Sequence, residues 1–266
     1  MNSKKLTALG RPVNINYQPN KRMVKIASLF MIIHFLYSQN IRLSLLSAGS
    51  IFMVWALNRE LDPDNDTAAL ITAILYGSVL FFVPVNSSFL SLFWLLLAMR
   101  SLSLCVGLKI LASDYFLLSI FSFFISYQNQ QPALIIINTG LLLSLILIRK
   151  EKQAYPGLAA SIVGLFYILL SQIPSETALL SFDRFAPGAG LIAALFLFFV
   201  FTGNAPKTMD DQGNQRLIHK NIISAQLFFV LYTISVMITS FPENQMVLLA
   251  SAMTGSLLYQ LYARLA

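Results

Sequence analysis

Long apolar runs alternate along the chain with short polar interruptions, and the length of the runs predicts helices that cross a membrane. Bounded by charged or turn-forming residues, the runs cover approximately 23–38, 42–57, 67–84, 88–100, 103–127, 132–148, 156–174, 185–202, 221–240 and 246–264. A spanning helix needs about 20 predominantly apolar residues. Runs 23–38 and 88–100 fall short of that, which implies tilting, local bilayer thinning or burial inside a bundle. The expectation is an all-α, polytopic transmembrane helical bundle of about ten spans, with eight as the lower bound, forming a single domain over 23–266.

Composition agrees with that pattern. The chain is 57% hydrophobic and 11% charged, with a mean hydropathy of +0.71, whereas soluble domains carry about 25% charged residues. Almost nothing is left over for a soluble domain. The one cysteine, Cys105, lies in an apolar run, so an intramolecular disulfide and a cysteine metal cluster are both excluded and packing is its expected role. Residues 1–22 are polar and basic, without the apolar stretch of a cleaved signal peptide. They read as a retained, loosely ordered cytoplasmic tail.

The net charge of +7 does not point to nucleic acid, because the basic residues sit in short loops beside hydrophobic runs, where they orient a membrane protein. With the amino terminus inside and ten crossings, the inner side collects Lys4, Lys5, Arg11, Lys21, Arg22, Lys25, Arg59, Arg100, Lys109, Arg149, Lys150, Lys152, Lys207, Arg216, Lys220 and Arg264. Only Arg42 and Arg184 fall outside. Both termini are therefore expected in the cytoplasm, in a cell or inner membrane. From Arg100 to Asp114 two readings stand open: an interfacial amphipathic helix followed by a short span, or a bundle-facing span with buried charges.

Four of the eleven acidic residues fall in Asn58-Arg-Glu-Leu-Asp-Pro-Asp-Asn-Asp66, between two apolar runs. Asp62, Asp64 and Asp66 begin like a calcium loop, but Thr67 stands where the turn glycine is required and Ala73 where the bidentate Glu belongs, which excludes an EF-hand. Asn58, Asp62 and Asp66 recur every four residues, so a helical extension of the second run would align them on one face. Magnesium, held by one or two carboxylates plus substrate phosphates, needs only such a sparse set. Pro63 opposes helical geometry at Asp62, and the simplest role for Asp66 is to cap a helix starting at Thr67.

The segment Asn58-x-x-x-Asp62-x-x-x-Asp66, with Arg59 after the Asn, resembles the first aspartate-rich motif of the UbiA family of membrane prenyltransferases. The resemblance covers about nine residues. It implies a helical bundle that binds a prenyl diphosphate through magnesium, with Asp62 and Asp66 as ligands and Asn58 as a polar neighbour. Asp210-Asp-Gln-Gly-Asn-Gln-Arg216 resembles the second motif through acids followed by Gly and Arg. The chain departs from the family where Arg59 replaces the usual Asp and where this second segment follows the eighth run rather than the sixth helix.

Independently of any family, the inner loops gather Asp62, Asp66, Asp210 and Asp211 beside Arg59, Arg149, Lys150, Lys207, Arg216 and Lys220, a set able to clamp a phosphate electrostatically. The leading expectation is a magnesium-dependent enzyme acting on a lipid-linked prenyl diphosphate at the cytoplasmic face. In it Asp62, Asp66, Asp210 and Asp211 hold metal, Arg59 and Arg216 steady the phosphate as catalytic residues, and Asn58 and Lys207 contact substrate. The alternatives are a small-solute transporter, with Asn138, Gln226 and His34 as candidates, and a non-catalytic subunit or homo-oligomer partnered in the membrane. Walker A, H-E-x-x-H and G-x-S-x-G motifs do not occur, so ATP-driven transport, zinc proteolysis and serine hydrolysis on their usual plans are not expected.

Overall fold

A computed structural model describes residues 7–10, 17–82, 89–129, 132–171, 186–203, 205–211, 213, 215–238 and 243–265. These residues are mostly helical, without a strand: α1 (Gln18–Ser38), α2 (Ile41–Leu61), α3 (Asp66–Val79), α4 (Phe89–Ser103), α5 (Ala112–Gln128), α6 (Ala133–Arg149), α7 (Tyr155–Ser171), α8 (Ala186–Thr202), α9 (His219–Ile238) and α10 (Glu243–Leu265). Three stretches, Ile41–Leu61, Lys152–Ser171 and His219–Ile238, are long and apolar enough to cross a membrane. Asp66–Val79, Phe89–Ser103, Ala133–Arg149 and Pro187–Thr202 are apolar but shorter. Of the residues considered in the sequence, Lys4, Lys5, Arg11 and Arg184 lie outside the described part.

Local chemistry sets the ends. Pro19 stands in the first turn of α1, where its missing N–H costs nothing. Gln39 closes α1 in the left-handed conformation, and Asn40 then caps α2 by accepting from the Leu43 N–H at 3.2 Å. At the far end α2 stops at Leu61, because Pro63 pushes Asp62 out of helical geometry. Two expectations shift here. The first helix begins at Gln18 rather than near Met23, and the apolar stretch 103–127 divides between the end of α4, a non-helical link and α5.

α2 forms the centre of the bundle, touching α1, α3, α4, α9 and α10, while α5, α6 and α7 form a three-helix group joined to it through α4. Apolar side chains gain little by leaving lipid for each other, so helices in such a bundle associate through small residues and shared polar contacts. Both devices occur. A Cβ at Gly157 would sit 2.7 Å from the Tyr115 carbonyl oxygen, so only glycine permits that approach of α7 to α5. Asn138 donates to the Ser119 and Ser161 hydroxyls at 3.2 and 2.6 Å, tying α6 to both neighbours. It is therefore an interhelical fastener. His34 is buried in α1, and its Nδ1 has no hydrogen-bond partner among the described residues.

The outer faces carry large exposed apolar side chains, among them Ile33 and Leu36 on α1, Phe124 on α5, Val163 and Phe166 on α7, and Phe198 on α8. Polar contacts also join the ends of helices. The end of α2 meets α9 through Gln226, whose amide donates to the Leu61 carbonyl at 2.6 Å. The end of α6 meets α4 through Arg149, which donates to the Leu102 carbonyl at 2.7 Å.

The Arg100 to Asp114 region takes neither of the two expected forms. Arg100 sits in the last turn of α4 and pairs with buried Glu60 of α2 at 3.0 Å. Leu104–Leu111 is a non-helical link with Leu104 and Gly107 at positive φ. Asp114, in the first turn of α5, accepts from the Leu111 N–H at 2.9 Å and the Ala8 N–H at 3.1 Å. The buried charges are thus consumed by an ion pair and a helix start. The same contacts fix Thr7–Gly10: Thr7 donates its hydroxyl to Asp114, and Arg100 donates to the Leu9 carbonyl at 3.1 Å. This part of the amino-terminal tail is docked rather than loose.

Candidate binding cavity

Because α2 ends at Leu61 and α3 begins at Asp66, the expected helical face of Asn58, Asp62 and Asp66 is not formed. The three side chains go to separate places. Asn58 points into the bundle, fully buried, and donates to the Ala252 carbonyl at 2.6 Å and the Ser256 hydroxyl at 3.0 Å, fastening α2 to α10. Arg59 lies between the Tyr17 and Trp55 rings, 5.4 and 5.5 Å from their centroids, a stacked arrangement that stabilises the guanidinium. It pairs with Asp66 at 3.2 Å, and Tyr17 donates its hydroxyl to the other Asp66 oxygen at 2.8 Å. Asn65, not Asp66, occupies the N-cap position of α3; Asp66 is the first helical residue, where a carboxylate complements the helix dipole.

Asp62 turns the other way. It is 9% exposed and is held by the Asn65 amide, which donates to its two oxygens at 2.8 and 2.9 Å, and by Gln260. Burial pushes its carboxyl above the ordinary range, against the opposing effect of the Asn65 hydrogen bond, and nearby Asp64 adds to the rise. Asp64 behaves oppositely. Its partial burial would raise it, but hydrogen bonds from Thr208 and from the backbone N–H groups of Lys207 and Thr208 outweigh that and hold it below the ordinary range.

Between these two acids and the facing helices lies a cavity of about 770 Å³. Its polar lining is Asp62, Asp64, Lys207, His219, Gln226 and Gln260; its apolar lining is Phe196, Phe199 and Val200 of α8 and Ile222 of α9, which shares a face of that helix with His219 and Gln226. Its volume is in the range of sites for small molecules and cofactors, about 300–1,000 Å³.

Of the eight residues expected to form a site, Asp62 and Lys207 line this cavity, whereas Asn58, Arg59, Asp66, Asp210, Asp211 and Arg216 do not. Asp210 and Asp211 belong to the turn of a short hairpin closed by the Met209–Arg216 bridge. That hairpin rests on the α4–α5 link: the Asp211 N–H donates to the Cys105 carbonyl at 2.9 Å, and a Cβ at Gly107 would fall 2.6 Å from the Asp210 carboxyl carbon. No three His, Cys, Asp or Glu side chains come together as a metal-ligand set among the described residues. The four acids expected to share magnesium are divided among Asn65 and Gln260, Arg59 and Tyr17, and the hairpin. They do not fit a common metal centre.

Asp64, His219, Gln260 and the α8 aromatics are the cavity residues that sequence spacing missed. Pro63 was the available signal, since a break at Asp62 brings Asp64 rather than Asp66 to the facing loop. No family model matches this chain, and neither a characterised protein nor a solved structure matches it.

Proposed function

We propose that the chain is a multi-pass membrane protein, with its termini in the cytoplasm, that takes a lipid-linked phosphate or diphosphate into the cavity and acts on it at the inner membrane face. The observation that carries this reading is the mixed lining of the cavity, with the loop residues Asp64 and Lys207 beside Phe196, Phe199 and Val200 of α8. The exposed apolar side chains of α1, α5, α7 and α8 support spans beyond the three helices long and apolar enough to cross a membrane, since a soluble surface of that kind would aggregate. Basic residues at the loop end, including Lys207 and Arg149, support its cytoplasmic placement.

Within the cavity Lys207 supplies a positive charge for the head, and the Gln226 and Gln260 amides and the His219 ring supply hydrogen-bond donors. Asp62 is already engaged by the Asn65 amide and by Gln260. The charge of Asp64 is already engaged by Thr208 and backbone N–H groups. The phosphate-clamping role expected of Arg59 and Arg216 passes to Lys207 in this reading. Of the transport candidates Gln226 lines the cavity, with its amide already donating to the Leu61 carbonyl, whereas Asn138 is committed to Ser119 and Ser161 and neither it nor His34 lines the cavity.

Equilibrium titration of the purified protein with farnesyl diphosphate, farnesol and inorganic diphosphate tests the reading. Farnesyl diphosphate is expected to bind more tightly than either half, and Lys207→Ala to weaken it about tenfold, as expected for loss of one charge-assisted hydrogen bond. Equal affinity for farnesol and farnesyl diphosphate, with no effect of Lys207→Ala, would remove the phosphate from the account.

A further inference from the structure

The turn between α2 and α3 is tied to two other helices. Gln226 of α9 donates to the Leu61 carbonyl at 2.6 Å, and Asn58, in the last turn of α2, donates to the Ala252 carbonyl of α10 at 2.6 Å. Within the turn the Asp62 N–H donates to the Asn58 carbonyl at 2.8 Å, while the Asn65 amide and Gln260 hold the Asp62 carboxyl. The ring of Pro63 then fixes its own φ. Asp64 follows directly on this secured base.

From there Asp64 meets the α8–α9 connection. Its Oδ1 accepts from the Lys207 N–H at 3.0 Å, from the Thr208 N–H at 2.8 Å and from the Thr208 hydroxyl, and its Oδ2 accepts from the Lys207 N–H at 2.9 Å. The same hydroxyl lies 3.3 Å from the Pro63 carbonyl oxygen. Pro206, next to Lys207, has no N–H to offer, so the tie runs through Lys207 and Thr208. The carboxylate charge also attracts the Lys207 ammonium. Asp64 thus fixes the backbone from which the Lys207 side chain starts, and both residues line the cavity.

We propose that Asp64 is a positioning residue, which places Lys207 for the phosphate end of the ligand and does so as a hydrogen-bond acceptor rather than as a charge. This role presupposes the reading above, in which Lys207 meets the phosphate. Lysine is a compact cation on a long, flexible stem, and fixing its backbone reduces the freedom that binding must remove. As a charge, Asp64 acts the other way. It opposes an anion in the same cavity and competes with it for the ammonium. The two effects are therefore separable by substitution. Asparagine removes the charge and keeps an oxygen where Oδ1 takes all three donors; alanine removes both.

Equilibrium titration of the intact protein in nanodiscs with farnesyl diphosphate, inorganic diphosphate and farnesol tests this role. Asp64→Ala is expected to weaken both diphosphates about fivefold, the worth of one net hydrogen bond, and to leave farnesol unchanged. Asp64→Asn is expected to bind the diphosphates at least as tightly as wild type. In a Lys207→Ala background Asp64→Ala is expected to cause no further loss, because the group it places is gone. Thr208→Val, which removes one donor, is expected to weaken the diphosphates by a smaller factor. Thermal unfolding of each sample shows whether it folds; if Asp64→Ala does not, Thr208→Val carries the test, and an unchanged affinity there overturns the role. Tighter diphosphate binding in both Asp64→Ala and Asp64→Asn would make Asp64 a plain repelling charge. An equal loss with and without Lys207, or a loss shared by farnesol, would make it a general structural residue, and no loss at all in Asp64→Ala would leave it without a part. Each of these overturns the positioning role while the lipid reading stands, provided that wild type prefers farnesyl diphosphate to farnesol and Lys207→Ala removes that preference. A wild-type protein that binds neither diphosphate overturns both.

Discussion

Replacing Arg100 with alanine is expected to cost about 3–5 kcal/mol of folding stability, the usual consequence of breaking a buried ion pair from one side. Glu60 is 1% exposed, accepts from Arg100 at 3.0 Å and from the Ser103 hydroxyl at 3.2 Å, and has no water to turn to when the guanidinium is removed. Arg100 also holds the Leu9 carbonyl at 3.1 Å, so the variant releases the docked Thr7–Gly10 segment as well. Denaturant unfolding in detergent micelles measures the loss. Replacing both partners with apolar residues, Arg100→Met with Glu60→Leu, is expected to recover most of it, because the pair's own desolvation is then avoided. An Arg100→Ala protein within about 1 kcal/mol of wild type would mean that the pair is solvated rather than buried.

The second large effect is on binding. Thr202, the last residue of α8, lines the cavity beside Phe199 and Val200 and is itself exposed. Tryptophan at that position places an indole in the space assigned to the lipid tail while disturbing no buried core residue. Thr202→Trp is expected to weaken farnesyl diphosphate by tenfold or more, about 1.4 kcal/mol, and farnesol in proportion, while leaving inorganic diphosphate and the thermal midpoint unchanged. Lys207→Ala should do the reverse, affecting the diphosphate-bearing probes and sparing farnesol. Opposite sensitivities of head and tail are what separate charged and apolar contacts within the cavity require. If both substitutions weaken all three probes equally, the cavity does not sort them.

Much of the helical architecture was legible in the sequence, because apolar runs interrupted by polar residues are a strong signal when most of the chain lies in them. Asn138 as an interhelical contact was likewise readable, a polar side chain in an apolar helix having few other uses. The Arg100 to Asp114 region was not, since its charges are satisfied by Glu60, Ala8 and Leu9, which are distant in sequence. The acidic segment misled for a local reason. Four-residue spacing places side chains together only within a continuous helix, and Pro63 ends α2 before Asp62. The carboxylates then divide by their partners: Asp66 goes to Arg59, Asp62 to the cavity, and Asp64 to Thr208 across the rim. Spacing does not reveal that the α8–α9 connection is what Asp64 meets.

The most direct measurement is the location of a bound lipid. A farnesyl diphosphate analogue carrying a photoreactive diazirine on its tail, irradiated with the protein in nanodiscs and mapped by peptide mass spectrometry, is predicted to label residues 196–202 of α8 and 219–226 of α9. Farnesyl diphosphate should compete the labelling away. Labelling confined to the outward faces of α1 and α7, and insensitive to competitor, would place the probe in bulk lipid and contradict the assignment of the cavity.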